Sequence, residues 1–484
     1  MTGSDFLQLD PTGVPSRGLT DWLVAELRTA IVGGRVARHD RLPPTRVLAA
    51  DLGLSRGVVV EAYRRLTDEA LVEARPKVGT VVVAGGTAPS GSSVMLPAPA
   101  PATGPTRDPA LSLPHVTVAR PAGTIDLSPG VPDLSTFPRA AWLRAERWVL
   151  DGLSGRALGY GDPRGDSGLR AELASWLTRT RGVRVVPDDV LVVDGVAQAL
   201  ALLAQVLLRR GHTTIAVEDP GSRGARDQLA YWRLAPVPIP VDEQGLRTDI
   251  LAGTETRAVL LTPAHQFPTG VVLAPERRRA LLEWAEPGRL LVEDDYDAEY
   301  RYDRAPVAAL QASAPDRVAY TGSTSKTLAP ALRLGWLVAP AALRAEVVDA
   351  KHASDLGSPV LPQLVLAHLI STGQYDGHVR RVRTRHRARR DALRDALAAL
   401  LPDVRVHGVA AGLHLLVTLP GPAPEDRLLA ERLLDAGVVA HPLSWHRSVD
   451  GPPGLVLGYA ATTPDRLLEA VARIATVLGR SVTR

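Results

Sequence analysis

Residues 84–123 read AGGTAPSGSSVMLPAPAPATGPTRDPALSLPHVTVARPAG, and this stretch constrains the fold more than any other feature of the chain. It is rich in Ala, Pro, Gly, Ser and Thr and shows neither helical nor strand periodicity. Such a segment cannot bury enough apolar surface to fold, and its prolines make it a semi-extended spacer. The chain must then fold as two bodies, residues 1–83 and residues 124–484. That division suits 484 residues, too many for one ordinary core. Apolar content of 45% and charged content of 22% are those of a soluble globular protein. With no cysteine, disulfides, thiolate catalysis and Cys-based metal sites are excluded, and no metal site is read. MTGSDFLQLD lacks the basic and apolar regions of a signal peptide, and the longest apolar stretch, AQALALLAQVLL, is too short for a bilayer. A cytoplasmic location without a membrane partner is expected.

The first body reads as helices followed by a short hairpin. GLTDWLVAELRTAIVGG places Leu19, Leu23, Leu27 and Ile31 on one helical face that ends at Gly33-Gly34. LPPTRVLAADLGLSR predicts a helix from about Thr45, a turn at Gly53 and a further helix opened by Ser55. LVEARPKVGTVVVAG then gives two apolar strands around Lys77 and Gly79. Three helices, with a tight turn between the second and third, and then a two-stranded wing outline a winged helix-turn-helix. The charge is nearly balanced, with eleven basic and ten acidic side chains in residues 1–85. Net charge therefore does not announce a nucleic-acid partner. Its placement is more telling: Arg46, Arg56 and Arg64-Arg65 lie on or beside the presumed recognition helix, with Arg75 and Lys77 on the wing.

RLPPTRVLAADLGLSRGVVVEAYRRL with KVGTVVV resembles the DNA-binding domain of the GntR family of bacterial regulators. The resemblance covers about residues 16–84 and implies a double-stranded DNA operator as partner. Matched position by position, it implies contacts from Arg46, Ser55 and Arg56, with Lys77 and Gly79 on the wing. Gly57 and Val58 stand where the family often has threonine, so one contact of the pattern is missing.

The second body alternates strand-like and helix-like segments, as an α/β domain with a mostly parallel sheet does. VLVVDGVAQALALLAQVLLRR, TTIAVEDPG, RAVLLTPAH, RLLVEDDYD and RVAYTGSTSK each place a loop after a strand, where ligands of open sheets gather. One of those loops holds a lysine. Only Lys77, Lys326 and Lys351 occur in the chain, so 53 of the 56 basic residues are arginine. Arginine replaces lysine for charge but cannot form an imine, so Lys326 suggests amine chemistry, above all a Schiff base with an aldehyde cofactor. Asp294 could pair with a protonated pyridine nitrogen and Tyr296 could donate to a phenolate oxygen. Gly195 at a helix start, Ser323 and Arg333 offer backbone N–H groups, a hydroxyl and a guanidinium to a phosphate. The set asks for pyridoxal 5′-phosphate.

LGYGDPRGDSGLR, VEDPGS, TPAHQFPTG, VEDDYDAEYRY and STSKTLAPALRLG, in that order, resemble a fold type I aminotransferase domain. Joined to a GntR-type head, they resemble the MocR subfamily of transcriptional regulators. The resemblance implies a multidomain chain, a winged helix-turn-helix plus a pyridoxal-phosphate-dependent aminotransferase fold. It implies Lys326 as the Schiff-base lysine, Asp294 and Tyr296 as ring partners, and Ser323, Arg333, Gly195, Val196 and Ala197 as phosphate ligands. Tyr160 would reach the phosphate of the neighbouring subunit in a head-to-tail homodimer.

Two positions depart from the enzymes. Phe267 replaces the asparagine whose amide meets the cofactor's phenolic oxygen, with Gln266 or His265 as possible substitutes, and Ser222 replaces the ring-stacking aromatic. Arg223 is a candidate for an anionic effector. HVRRVRTRHRARR, residues 378–390, carries seven arginines on a helix, either a solvated face paired with acids or a surface for flanking DNA or the linker. Three functions follow: a regulator sensing the cofactor or an amine adduct of it, a working aminotransferase with an appended DNA-binding module, or a regulator using the domain as a dimer scaffold. The intact Lys326, Asp294 and Arg333 argue against the scaffold, and Phe267 and Ser222 against the enzyme, which favours the first.

Overall fold

A computed structural model of the protein describes residues 9, 11, 14, 15, 18–32, 36, 37, 39–69, 71–75, 79–83, 123–286, 288–297, 299–302, 307–419 and 425–479. The chain divides into two compact units, residues 1–116 and 117–484. Most of the expected spacer, residues 84–122, lies outside the described residues, as does Lys77.

In the first unit the helices are Leu19–Val32, Thr45–Asp51 and Arg56–Asp68, followed by antiparallel strands Val72–Arg75 and Gly79–Val82. Of the stripe read from the sequence, Leu23, Leu27 and Ile31 are buried and Leu19 is half-buried, and Leu48, Val59 and Leu66 from the next two helices complete the core. Gly53, at φ +63°, makes the tight turn between the second and third helices. Tyr63 ties the third helix back to the Leu-Pro step, its hydroxyl donating to the Pro43 carbonyl at 2.8 Å.

The second unit is built on an eight-stranded sheet. From edge to edge its strands are Val190–Val193, Gly335–Val338, Val318–Ser323, Leu290–Asp294, Ala258–Leu261, Thr214–Asp219, Ala235–Asp242 and Gly245–Leu246. VLVV, AVLL and LLV are continuous apolar runs because helices cover both faces of a mostly parallel sheet. Helices Val196–Arg209 and Ala341–Asp355 pack on one face, and Ser167–Arg181 and Val360–Ser371 on the other. Gly335–Val338 is antiparallel to both neighbours, so its first residue sits beside Ser323 and Val193, at the carboxyl ends of the other strands. Helix Gln374–Leu400 leads into a smaller antiparallel sheet of Arg405–His407, His414–Thr418, Gly454–Gly458 and His441–Pro442, backed by helix Pro464–Val477. No helix among the described residues is long and apolar enough to cross a membrane.

Candidate functional site

The predicted cofactor residues of the second unit, Tyr160 apart, come together at the carboxyl edge of the large sheet, carried there by four of its strands. Strand Val190–Val193 delivers Gly195, whose φ of +85° opens helix Val196–Arg209 with its first N–H groups directed outward. Arg333, itself left-handed at φ +51°, reaches the same turn because its strand runs the opposite way, and its guanidinium donates to the Asp194 carbonyl. A Cβ on Gly195 would stand 3.3 Å from that guanidinium, and one on Gly335 would stand 2.8 Å from Gly195 Cα. Glycine at both positions lets the two turns close into one cradle of N–H groups beside a cation. Strand Val318–Ser323 brings the buried Ser323 to its rim.

The acidic run after Leu290 is sorted by strand alternation. Glu293 turns inward and accepts from the Leu310 and Gln311 N–H groups at 3.0 and 3.1 Å. Asp295 pairs with the buried Arg181 at 2.6 Å and accepts from the Tyr320 hydroxyl at 2.5 Å. Asp294 and Tyr296 share the other side, toward Lys326. Burial, reinforced by the charge of Asp295, pushes the Asp294 carboxyl up to about 7, while the Thr321 hydroxyl and Lys326 oppose the rise. Burial lowers the Lys326 ammonium, with Asp294 and Asp297 acting against it. Lys326 Nζ donates to the Gly130 carbonyl at 2.5 Å, and the Tyr300 hydroxyl holds the Lys326 carbonyl at 2.8 Å. Gly130 has φ +75°, and a Cβ there would stand 3.3 Å from Nζ. Sequence reasoning missed Gly130 and Arg181, which reach the site across more than a hundred residues, and Asp297 and Tyr300, which lie in the quoted motif but show their roles only through contacts with His265 and Lys326.

The two departures are explained differently. Ser222 caps helix Arg223–Tyr231, accepting from Ala225 N, so no ring can stack from that position. Phe267 packs edge-on against His414 and His446, at 4.9 and 5.0 Å between ring centres. Of the two substitutes for its missing amide, Gln266 is already committed: it donates to the Pro220 and Phe267 carbonyls and accepts from Thr269. His265 instead stands 3.0 Å from the Tyr296 hydroxyl and 2.9 Å from Asp297. Arg223 is engaged with Asp227 at 3.4 Å and lies over Trp445. Its neighbour Arg226 donates to the Trp445 and His446 carbonyls, pinning that loop over the Ser222 turn.

Tyr160 is not brought into the site of its own chain; it is 93% exposed, with Leu158 60% exposed beside it. The arginine run divides. Arg389 is buried against Asp133, Arg385 also pairs with Asp133, and Arg387 donates to the Tyr302 carbonyl. Arg380, Arg381 and Arg383 are exposed and form no ion pair among the described residues. Nor does any group of three or more acidic or histidine side chains among them suit a metal.

In the first unit, Ser55 caps the third helix by accepting from Val58 N. Arg64 and Arg65 are held by Glu61, and Arg65 also by Asp21. Arg46 and Arg56 are exposed with no such partner among the described residues, and Gly79, at φ +105°, begins the second wing strand. Two cations without an ion pair among the described residues therefore sit at the starts of the second and third helices.

Comparison with known proteins agrees with this division. Residues 19–82 match the family of bacterial regulatory proteins, gntR family, and residues 122–474 match aminotransferase class I and II. MocR of Rhizobium meliloti is 32% identical over 468 residues, 93% of this chain and 91% of that protein. The HTH-type pyridoxine biosynthesis transcriptional regulator PdxR of Corynebacterium glutamicum is 31% identical over 471 residues, 96% of each. Among solved structures, Pyrococcus horikoshii kynurenine aminotransferase superposes with a TM-score of 0.68 at 28% identity, covering 74% of this chain and 91% of that one. A gntR-type DNA-binding head joined to an aminotransferase class I and II domain, shared along nearly the whole length with these regulators, places the chain in the MocR-like family of GntR-type transcriptional regulators.

Proposed function

We propose that this regulator binds pyridoxal 5′-phosphate through Lys326 and reads the cofactor, or an amino-compound adduct of it, to control how its head engages operator DNA. The observation that carries the reading is the convergence on one sheet edge of a buried lysine with a lowered pKa, a protonatable Asp294 and an N–H cradle beside Arg333. The cradle suits a phosphate: Gly195, Val196 and Ala197 supply helix-start N–H groups, Ser323 a hydroxyl and Arg333 a bidentate cation. Asp294 suits a pyridine nitrogen, because a buried carboxyl gains most by meeting an N–H there. The group would supply an aldehyde carbon for primary amines and an electron-withdrawing ring. Lys326, whose ammonium burial disfavours, would be the amine that attaches it. Tyr160, exposed on its own chain, supports a homodimer in which it completes the partner's phosphate site. Two heads would then read two half-sites. PdxR, by its name a regulator of pyridoxine biosynthesis, makes the cofactor itself the favoured signal. A DNA partner places the working protein in the cytoplasm.

Ser222 and Phe267 weigh against an efficient aminotransferase, since neither position offers the stacking ring or the amide. The test is covalent trapping. Protein incubated with pyridoxal phosphate and reduced with borohydride should carry the cofactor's mass on Lys326, and Lys326→Ala should carry none. A reducible adduct on the Lys326→Ala protein would overturn the assignment.

A further inference from the structure

We infer that His265 is a positioning residue that aims the Tyr296 hydroxyl proton at the phenolic oxygen of the bound cofactor by occupying Asp297. The inference rests on the cofactor reading above. With Phe267 in place of an amide and Gln266 spent on the backbone, Tyr296 is left as the donor for that oxygen among the described residues. Its hydroxyl has a competing acceptor close by, because Asp297 shares the same His265 nitrogen and its charge bears on the tyrosine. A proton given to the Asp297 carboxylate is not available to a ligand.

His265 removes the competition. Its Nδ1 lies 2.9 Å from Asp297 Oδ2 and 3.0 Å from the Tyr296 hydroxyl. One hydrogen on Nδ1 serves both oxygens as acceptors, and the tyrosine keeps its own proton for a third partner. The tautomer follows from the surroundings. Nε2 is buried with no hydrogen-bond partner among the described residues, so a hydrogen there would be stranded while Asp297 faced a bare lone pair. Two glycines hold the ring in this orientation. A Cβ on Gly412, at φ +88°, would run into His265 Cε1, and one on Gly270, at φ +74°, would stand 3.2 Å from Nε2. The other titratable groups facing the pair are Asp294 beside Tyr296, Glu218 from strand Thr214–Asp219, Lys326, and His414 from the smaller sheet.

The test titrates the visible absorbance of cofactor-loaded protein against pH. A hydroxyl donating to the phenolic oxygen draws off its charge and eases loss of the proton shared with the Lys326 nitrogen. His265→Phe and Tyr296→Phe should therefore each raise the apparent pKa by about one unit. The double variant should shift no further than either single one, since both remove the same contact. His265→Asn, whose Nδ2 falls near the position of Nδ1, should return the value toward wild type. In the cofactor-free protein, nitrogen NMR of His265 should place the hydrogen on Nδ1. An unchanged pKa in His265→Phe, additive shifts in the double variant, or a hydrogen on Nε2 would each overturn the inference. A wild-type protein that takes up no cofactor overturns the underlying reading instead, and the NMR result then stands apart from it.

Discussion

Replacing Asp294 with Asn should stabilise the cofactor-free protein, and the gain should depend on pH. Burial raises this carboxyl from an ordinary 3.8 to about 7. The folded state therefore holds the proton more tightly than the unfolded chain. The sign is that of a destabilising charge: its cost is absent below about pH 4, grows as pH rises toward 7, and is complete above it. The interval of about three units, at 1.36 kcal/mol each, sets a ceiling of about 4 kcal/mol. Partial solvent contact brings the expected gain to about 2–4 kcal/mol at pH 8. Urea denaturation of the cofactor-free wild type and Asp294→Asn, at pH 5 and pH 8, measures it. The variant should be clearly more stable at pH 8, with less than half that gain at pH 5. An Asn variant no more stable than wild type at pH 8, or a gain independent of pH, would refute the reasoning. The raised carboxyl would then not be a cost held in reserve for a ligand's ring nitrogen.

Its neighbour should behave in the opposite way. Asp295→Asn leaves Arg181 buried without its charge partner, and thermal or urea unfolding should show a loss of about 3–5 kcal/mol while cofactor absorbance persists in the folded fraction. Arg56→Ala, which removes an unpaired cation at the start of the recognition helix, should weaken operator binding by about 1–3 kcal/mol in a fluorescence titration. Arg64→Ala, whose side chain is already held by Glu61, should weaken it less. Equal losses for the two would misplace the recognition surface.

How much of this was legible in the sequence depends on distance along the chain. The winged head was readable almost residue by residue, because its stripe at Leu23, Leu27 and Ile31, its turn at Gly53 and its cap at Ser55 are local signals. Lys326 stood out because arginine replaces lysine nearly everywhere else. Within EDDYD, Asp294 was readable as an acid at a strand end and Tyr296 as a phenol two residues on, and the resemblance matched both to ring partners. The period of two that separates them from Glu293 and Asp295 acquires meaning only once Arg181 and Leu310 are seen opposite. Arg333 needed the topology: a strand reversed between two others brings position 333 to the turn at 195. The competition for Asp297 was invisible, since it depends on which nitrogen of His265 meets which oxygen and on two glycines more than 140 residues apart. Most of the arginine run reads as packing on Asp133 and carbonyl groups, leaving Arg380, Arg381 and Arg383 as its free part.

The central claim is that cofactor and DNA are read by one protein with linked equilibria, and one paired titration tests it most directly. Pyridoxal phosphate is titrated into the protein with and without saturating operator, following the visible absorbance. Linkage is reciprocal, so operator must change cofactor affinity by the same factor that cofactor changes operator affinity. Two different dissociation constants are expected, separated by a coupling of about 1–3 kcal/mol, or roughly 5- to 150-fold. Equal dissociation constants in the two titrations would contradict it, and the aminotransferase-like domain would then be a scaffold or an enzyme instead of a sensor.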